Sequence, residues 1–454
     1  MKTDVVIIGG GPGGAACAMF LERQGIRSTI VEREPFPRYH VGESMTGECG
    51  GVVRELGLES EMMRRRYPVK SGVKVFGAGG KNSWFMPVMA RSPEWELKEQ
   101  TTWQVRRSDF DKMVLEEAIR RGAGLVNGRA KVPLLDRDGS VRGVQVETNG
   151  GRLEIESEVV LDCSGQATWL ANLGGITGPK YLGAYDKQIA IFSQVVDFEV
   201  DRGEARDMQP GNTLILYTSK YHWAWAIPLD DEVVSVGVVA PAAYFLSRGE
   251  TKKDFLLREL RELNPELSRR LHGEIRLVED VHVIPNYSYQ VKNFCGRGFI
   301  CIGDAHRFID PIFSFGLYVT MKEAGFAAQA VRGYLNGDHR DESNPFAAYQ
   351  LYCEKGADVL EDLLDAFWEH PLSFATLAYA RYLPEVVDIF AGRVYERQPN
   401  AGLAAYRKLL HRERLYDDDD TYSIPIGSRY HPERAPLWEV REDFESTESW
   451  MGSR

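Results

Sequence analysis

Asp4-Val-Val-Ile-Ile-Gly9-Gly10-Gly11-Pro12-Gly13-Gly14, running on into Ala15-Ala-Cys-Ala-Met-Phe-Leu-Glu-Arg-Gln24, decides the fold of this 454-residue chain. A β-branched run ends in glycines and gives way to small and apolar residues at helical spacing. That is how a buried parallel strand turns directly into a helix. Gly9, Gly11 and Gly14 fill the G-x-G-x-x-G pattern, with Pro12 and Gly13 inside it. The first admits a tight turn, the second lets the backbone approach a pyrophosphate, and the third lets helix and strand pack closely. The helix N-terminus then offers free N–H groups and about half a positive elementary charge to that anion. A second β-run, Ser28-Thr-Ile-Val31, delivers Glu32 about 20 residues past the glycines, where a carboxylate accepts ribose hydroxyls. A dinucleotide-binding strand, loop and helix are expected.

Composition narrows the function. A formal net charge of −11 opposes binding to a phosphate backbone. The six cysteines (17, 49, 163, 295, 301 and 353) show neither a disulfide framework nor metal-ligand spacing. The first strand begins almost at Met1, which leaves no room for a signal peptide, and no apolar run approaches the length of a membrane span. The expectation is a cytoplasmic enzyme without a metal, a nucleic-acid partner or a membrane partner.

Further along, Arg33-Glu-Pro-Phe-Pro-Arg38-Tyr-His-Val-Gly42-Glu43-Ser44 reads as an extended loop beside the dinucleotide. Residues 45–66 read as one helix, closed by Arg64-Arg65-Arg66. Tyr67-Pro68-Val69-Lys70-Ser71-Gly72-Val73-Lys74-Val75-Phe76 alternates as a strand with Lys70 and Lys74 on one face. Residues 77–102 look irregular, a lid or substrate loop in which Trp84, Phe85, Trp95 and nearby Trp103 line an aromatic pocket or serve as ordinary core. Gln104-Val105-Arg106-Arg107 leads into a helix through Arg120, with Ser108 or Asp109 as its N-cap. Residues 125–165 read as a β-meander turning at Asp138-Gly139 and Asn149-Gly150, ending in Val159-Val160-Leu161-Asp162-Cys163-Ser164-Gly165. Alternating apolar residues from about 185 to 290 predict a second sheet, and within it the alternation of Trp223-Ala224-Trp225-Ala226-Ile227-Pro228 puts both indoles on one strand face. Phe299-Ile-Cys-Ile-Gly303-Asp304 is a strand ending in Gly-Asp. Asp310-Pro-Ile-Phe313-Ser314-Phe315-Gly316 follows and opens a helix from Leu317. Beyond about 320 the chain reads as helical over Met321–Leu335, Pro345–Phe367 and Leu383–His411, with Asp417–Asp420 in a solvated loop.

Together the glycine loop, Glu32-Arg33-x-x-Phe-Pro-Arg38, Val41-Gly42-Glu43-Ser44, the Pro-x-Lys-x-Gly stretch at Lys70 and Trp-x-Trp-x-Ile-Pro resemble the flavin-dependent halogenases. That family lies within the fold superfamily of FAD aromatic hydroxylases, the p-hydroxybenzoate hydroxylase type, and geranylgeranyl-type reductases. The resemblance implies an α/β chain. Its three-layer, Rossmann-like FAD-binding domain would span 1–180 and 280–335, with an antiparallel substrate-side sheet at 181–279 and a C-terminal helical cover with an acidic tail at 336–454. It implies FAD contacts at Gly9, Gly11, Pro12, Gly13, Gly14, Glu32, Arg33, Gly42, Glu43, Ser44, Arg107, Asp162, Gly303 and Asp304. Catalytic roles fall to Lys70, with Lys74 in reserve, and to Trp223, Trp225 and Ser314, with halide on the backbone N–H groups of Phe315 and Gly316. Two departures stand out. Phe315 replaces a second small hydroxyl residue of the halide turn, and Phe313 stands where tryptophan halogenases carry glutamate. Without that carboxylate the expected acceptor is a strongly activated phenol or pyrrole, free or tethered to a carrier protein.

The activity so implied is production of hypohalous acid from reduced FAD, oxygen and halide. Lys70 then relays the oxidant to an aromatic ring, through a hydrogen bond or as a haloamine. With one dinucleotide fingerprint and no second glycine loop for a nicotinamide, reduced FAD is expected from a separate flavin reductase. The rival readings are an aromatic hydroxylase and a geranylgeranyl-type reductase, against both of which Trp223, Trp225 and Lys70 argue, and a catalytically silent FAD-binding or flavin-sensing protein, against which the retention of every flavin element together with Lys70 argues.

Overall fold

The computed structural model describes residues 1–410, apart from 82, 93, 184, 186, 204, 341 and 396–399. Its first layer is a six-stranded sheet in the order Cys295–Gly296, Phe299–Cys301, Val159–Asp162, Val5–Ile8, Ser28–Glu32 and Gly124–Asn127, parallel except for the first edge strand. The two central strands are buried along their whole length, as their largely β-branched and apolar sequences require, with the buried carboxylate of Asp162 at one strand's end. Pro12–Glu22 covers one face and packs against Gly316–Leu335 and Arg107–Arg120. The meander Arg129–Leu135, Val141–Thr148 and Gly151–Glu156 forms the third layer, with its turns at the expected Asp-Gly and Asn-Gly pairs.

A second sheet runs Leu271–Leu277, Gln188–Phe198, Val234–Pro241, His222–Pro228, Thr213–Ser219, Gly72–Phe76 and Ser83–Pro87. It is antiparallel except where Thr213–Ser219 runs parallel to Gly72–Phe76. Strand alternation gives it two apolar faces. Val73, Val75, Ile215, Trp223 and Trp225 join the main core, whereas Leu214, Leu216, Ala224, Ala226 and Val236 pack under Phe255, Leu256 and Leu260 of the helix Lys252–Glu262. Helices Ala347–Glu369, Pro371–Thr376, Leu383–Ala391 and Ala401–Leu409 complete the described C-terminal part. Asp417–Asp420 lie outside the described residues.

Several local expectations need correction. The helix expected over 45–66 is two, Gly47–Glu55 and Glu59–Arg64, because Gly57 takes φ +74° between them. The 77–102 stretch is not irregular throughout; it holds the strands Ser83–Pro87, Met89–Arg91 and Leu97–Glu99. Lys70 and Lys74 do not share a face. The chain changes sheets at Ser71, so Val69–Lys70 pairs with Thr102–Trp103 while Lys74 belongs to Gly72–Phe76 and turns to Asp201 and Asp207. The helix after Gln104 starts at Arg107 without a side-chain cap, and the run expected over 383–411 breaks after Ala391.

Candidate functional site

The glycine loop is built as its sequence requires. Gly9 sits at φ +101°, and a Cβ on Gly14 would lie 1.9 Å from the Gly9 carbonyl oxygen. The helix that follows has no side-chain cap and no acid in its first turn, so its end retains free donors and an uncompensated positive pole. Glu32 is buried at the strand end and accepts from the backbone N–H of Gly10 (2.6 Å) and of Glu34 (2.8 Å). Each carboxylate oxygen keeps lone-pair capacity for a ribose hydroxyl. This cradle and its donor set fit an FAD pyrophosphate and ribose.

The remaining flavin-side residues are held mainly by one another. Arg107 is buried and donates to Asp111 (2.6 and 2.9 Å) and to the carbonyls of Val41 (2.7 Å) and Gly42 (3.2 Å), clamping the Gly42-Glu43-Ser44 loop to its helix. Glu43 is fully buried, and loss of water lifts its carboxyl to about 7 against the pull of Ser235 and Arg107. Asp162 accepts from the N–H groups of Ser164 (3.0 Å) and Leu170 (2.8 Å), organising the turn after its strand. Gly303, at φ +59°, donates to Glu323 (2.7 Å), and burial lifts the Asp304 carboxyl to about 7. Arg33 is instead exposed and paired with Glu34. Arg38, which follows Phe36 and Pro37 in the same loop, comes close to the glycines: a Cβ on Gly11 would stand 3.6 Å from its guanidinium.

Trp223 and Trp225 share a face of His222–Pro228, with ring centroids 5.8 Å apart. Trp225 donates to the Ser235 hydroxyl (3.2 Å) across the strand pair, and Gly237 leaves room for its ring, since a Cβ there would meet it at 2.2 Å. The Trp223 N–H finds no hydrogen-bond partner among the described residues. Ser314 adopts φ +62° and turns the chain into Gly316–Leu335, whose N-cap, Phe315, supplies no side-chain acceptor and whose first turn carries no acid. Amides at such a helix start suit an anion. Phe313 and Phe315 pack on Phe390 (4.6 and 6.4 Å between centroids), and Phe313 also meets Phe367 (5.3 Å) and Trp84 (6.4 Å). Trp84 thus belongs to an aromatic wall between the turn at Ser314 and the C-terminal helices. Trp103 is wholly buried core and Trp95 is largely exposed.

Lys70 is 2% exposed. Its Nζ donates to the Ser44 hydroxyl (2.8 Å) and to the Met45 carbonyl (2.9 Å). Burial brings its amine down to about 7, with only Cys49 pulling the other way. Among the described residues no carboxylate is paired with it. Ser44, expected at the cofactor, is in this structure the lysine's neighbour. Sequence reasoning passed over three side chains here: Thr213, Ser235 and Gln104. Thr213 stands 169 positions from Ser44, and Ser235 is similarly remote from Glu43, so neither leaves a local signal. Gln104 was visible in the Gln-Val-x-Arg motif.

The FAD binding domain family matches residues 2–351 of the chain. A 1H-pyrrole-2-carbonyl-(peptidyl-carrier protein) brominase of Pseudoalteromonas luteoviolacea is 36% identical over 387 residues, 85% of this chain and 89% of that protein. The corresponding chlorinase of Pseudomonas fluorescens is 27% identical over 428 residues, 90% of this chain and 93% of that one. The solved flavin-dependent brominase Bmp2 superposes with a TM-score of 0.83 at 33% identity, covering 91% of this chain and 99% of its own. Among the described residues no helix is long and apolar enough to cross a membrane, and no group of residues could hold a metal ion.

Proposed function

This chain belongs to the FAD binding domain family and is a flavin-dependent halogenase, and we propose that it halogenates a pyrrole ring carried as its 2-carbonyl derivative on a carrier protein. The observation that carries the halogen-transfer step is the setting of Lys70, buried, unpaired with any carboxylate among the described residues and brought to about 7 by loss of water. With Phe313 where a carboxylate would assist the ring, the acceptor supplies its own electron density, as a pyrrole does. The choice of pyrrole over phenol, and of a carrier-borne over a free acceptor, is supported by the relatives that act on pyrrolyl carrier proteins.

When bound and reduced, FAD supplies the oxygen chemistry that turns halide into hypohalous acid. The residues of the chain do the rest. The glycine loop and Glu32 hold the cofactor's pyrophosphate and ribose. The Phe315 and Gly316 amides hold halide at the start of a helix whose dipole favours an anion. Trp223 and Trp225 fill the space through which an organic ring would otherwise reach the flavin. Lys70 receives the oxidant, and an amine titrating near neutrality acts there as hydrogen-bond donor or as nucleophile. The C-terminal helices, through Phe367, Phe374 and Phe390, wall the acceptor. Reduced FAD comes from a separate flavin reductase, since the chain carries one dinucleotide fingerprint.

The test is mass spectrometry of a pyrrolyl carrier protein incubated with the holoenzyme, a flavin reductase, NADH, oxygen and chloride or bromide, beside free pyrrole-2-carboxylate and free phenols. Halogen on the carrier-borne ring and little on the free compounds is the expected result. Faster halogenation of a free phenol or free pyrrole would overturn the carrier assignment.

A further inference from the structure

Behind Lys70 lies a chain of buried polar groups that the reaction as described does not use. Ser44 Oγ sits 2.9 Å from Thr213 Oγ1, and Gln104 Nε2 donates to Thr213 Oγ1 (2.7 Å) and to the Gly211 carbonyl (3.0 Å). Ser44, Thr213 and Gln104 are 3%, 1% and 0% exposed. They come from three separate segments: the flavin-side loop, the first residue of Thr213–Ser219, and the bridge that pairs Ser44 with Gln104. Such a network is costly to bury unless its members satisfy one another.

One end of the chain is fixed. The Gly211 carbonyl only accepts, so the Gln104 atom facing both it and Thr213 is the amide nitrogen, an obligate donor. Thr213 Oγ1 therefore accepts from Gln104, and it shares a further hydrogen bond with Ser44 Oγ in which either hydroxyl can donate. In either arrangement Ser44 Oγ is engaged by Thr213 and keeps a lone pair for an N–H of Lys70, while the Met45 carbonyl takes another. Two positions on the lysine nitrogen are thereby occupied. Among the described residues nothing else hydrogen-bonds to this nitrogen, so one position remains, the lone pair of the amine or the third N–H of the ammonium.

We propose that Thr213, oriented by Gln104, is a positioning residue that acts through Ser44 to leave Lys70 a single open valence for the oxidant. The inference rests on the assignment of Lys70 above and is independent of which acceptor is used. Without the Thr213 hydroxyl, the Ser44 O–H is free to turn toward the Lys70 lone pair and occupy the valence that the oxidant needs. The same reversal favours the uncharged amine. Cys49, on the adjoining helix Gly47–Glu55, is the titratable group that bears on Lys70 directly, and it is itself held protonated by burial.

The experiment compares the holoenzyme with Thr213→Val, Thr213→Ser, Gln104→Leu and Lys70→Ala. FAD content, halogen transfer to the acceptor, oxidant escaping to a soluble trap and the pH profile of transfer are read for each. Thr213→Val should keep its FAD, lose about tenfold in transfer, leak more oxidant to the trap and shift the acid limb of its profile to lower pH. Gln104→Leu should do the same more weakly, and Thr213→Ser, which keeps the hydroxyl, should return transfer to within about threefold of the parent. Transfer within threefold of the parent in Thr213→Val, or a loss that Thr213→Ser does not recover, overturns the inference. If Lys70→Ala still transfers halogen, the assignment of Lys70 falls with it; if Lys70→Ala is inactive and Thr213→Val is not, only the positioning role fails.

Discussion

Between pH 7 and the ordinary lysine value of about 10.4, Lys70 binds fewer protons in the folded chain than in the unfolded one, because burial brings its amine down to about 7. Stability therefore rises with pH across that window, and the cost of holding the lysine is fully present below pH 7. The shift corresponds to roughly 4–5 kcal/mol, offset by roughly 1–3 kcal/mol for the two hydrogen bonds to Ser44 and Met45 that its removal loses. Lys70→Met should thus raise the melting temperature at pH 6 while abolishing halogen transfer, and the gain should shrink as the pH rises towards 10. Calorimetry at three pH values checks this; a variant less stable than the parent at pH 6 would contradict it. The residue was legible in the sequence because the Pro-x-Lys-x-Gly stretch around it is short. Its surroundings were not, since Ser44, Thr213 and Gln104 converge from segments up to 169 residues apart.

Among elements, the strand pair His222–Pro228 and Val234–Pro241 carries a demanding fit. A Cβ on Gly237 would come within 2.2 Å of the Trp225 ring and 2.7 Å of Phe192 Cβ. Gly237→Ala should therefore cost about 1–3 kcal/mol through overpacking, read as a lower melting temperature, and it should displace the Trp225 indole. A melting temperature equal to the parent's would show that the ring has room to move. Strands and helices were legible where one period holds: the β-branched runs of Val5–Ile8 and Val159–Asp162, the meander with its Asp-Gly and Asn-Gly turns, and the indole pair on one face. The errors came where local pattern and tertiary context part. Lys70 and Lys74 are four residues apart in an alternating run, yet Ser71 is where the chain leaves one sheet for another. The expected helix over 45–66 contains apolar residues at suitable spacing on both sides of Gly57, and the positive φ there ends the first segment.

At the scale of the whole molecule, the parallel sheet carries the glycine loop whose cradle fits FAD, while the second sheet carries the paired indoles and the C-terminal helices complete the aromatic wall. Because FAD binds the folded chain and not the unfolded one, FAD at about a hundred times its Kd should stabilise the protein by about 2.7 kcal/mol, seen as a rise in melting temperature. The absence of such a rise would mean that the cradle does not bind the cofactor. Because the sequence carries one dinucleotide fingerprint, NADH added anaerobically to the holoenzyme should leave the flavin's visible absorbance unchanged until a flavin reductase is supplied; direct bleaching by NADH would remove the need for a partner. The halves of the chain were unequally legible, since a nucleotide-binding unit announces itself in contiguous glycines and a strand-end acid. The aromatic wall of Trp84, Phe313, Phe367 and Phe390 is assembled from residues that look like ordinary core until they are placed together.

The most direct measurement is the product mass from holoenzyme given a flavin reductase, NADH, oxygen and an electron-rich pyrrole, with bromide present or omitted, for the parent and for Lys70→Ala. A bromine isotope doublet that appears only with bromide and only in the parent is the predicted result. A product heavier by one oxygen atom regardless of halide, or a bromide-dependent doublet undiminished in Lys70→Ala, would contradict the central claim that this flavoprotein passes its oxidant through Lys70.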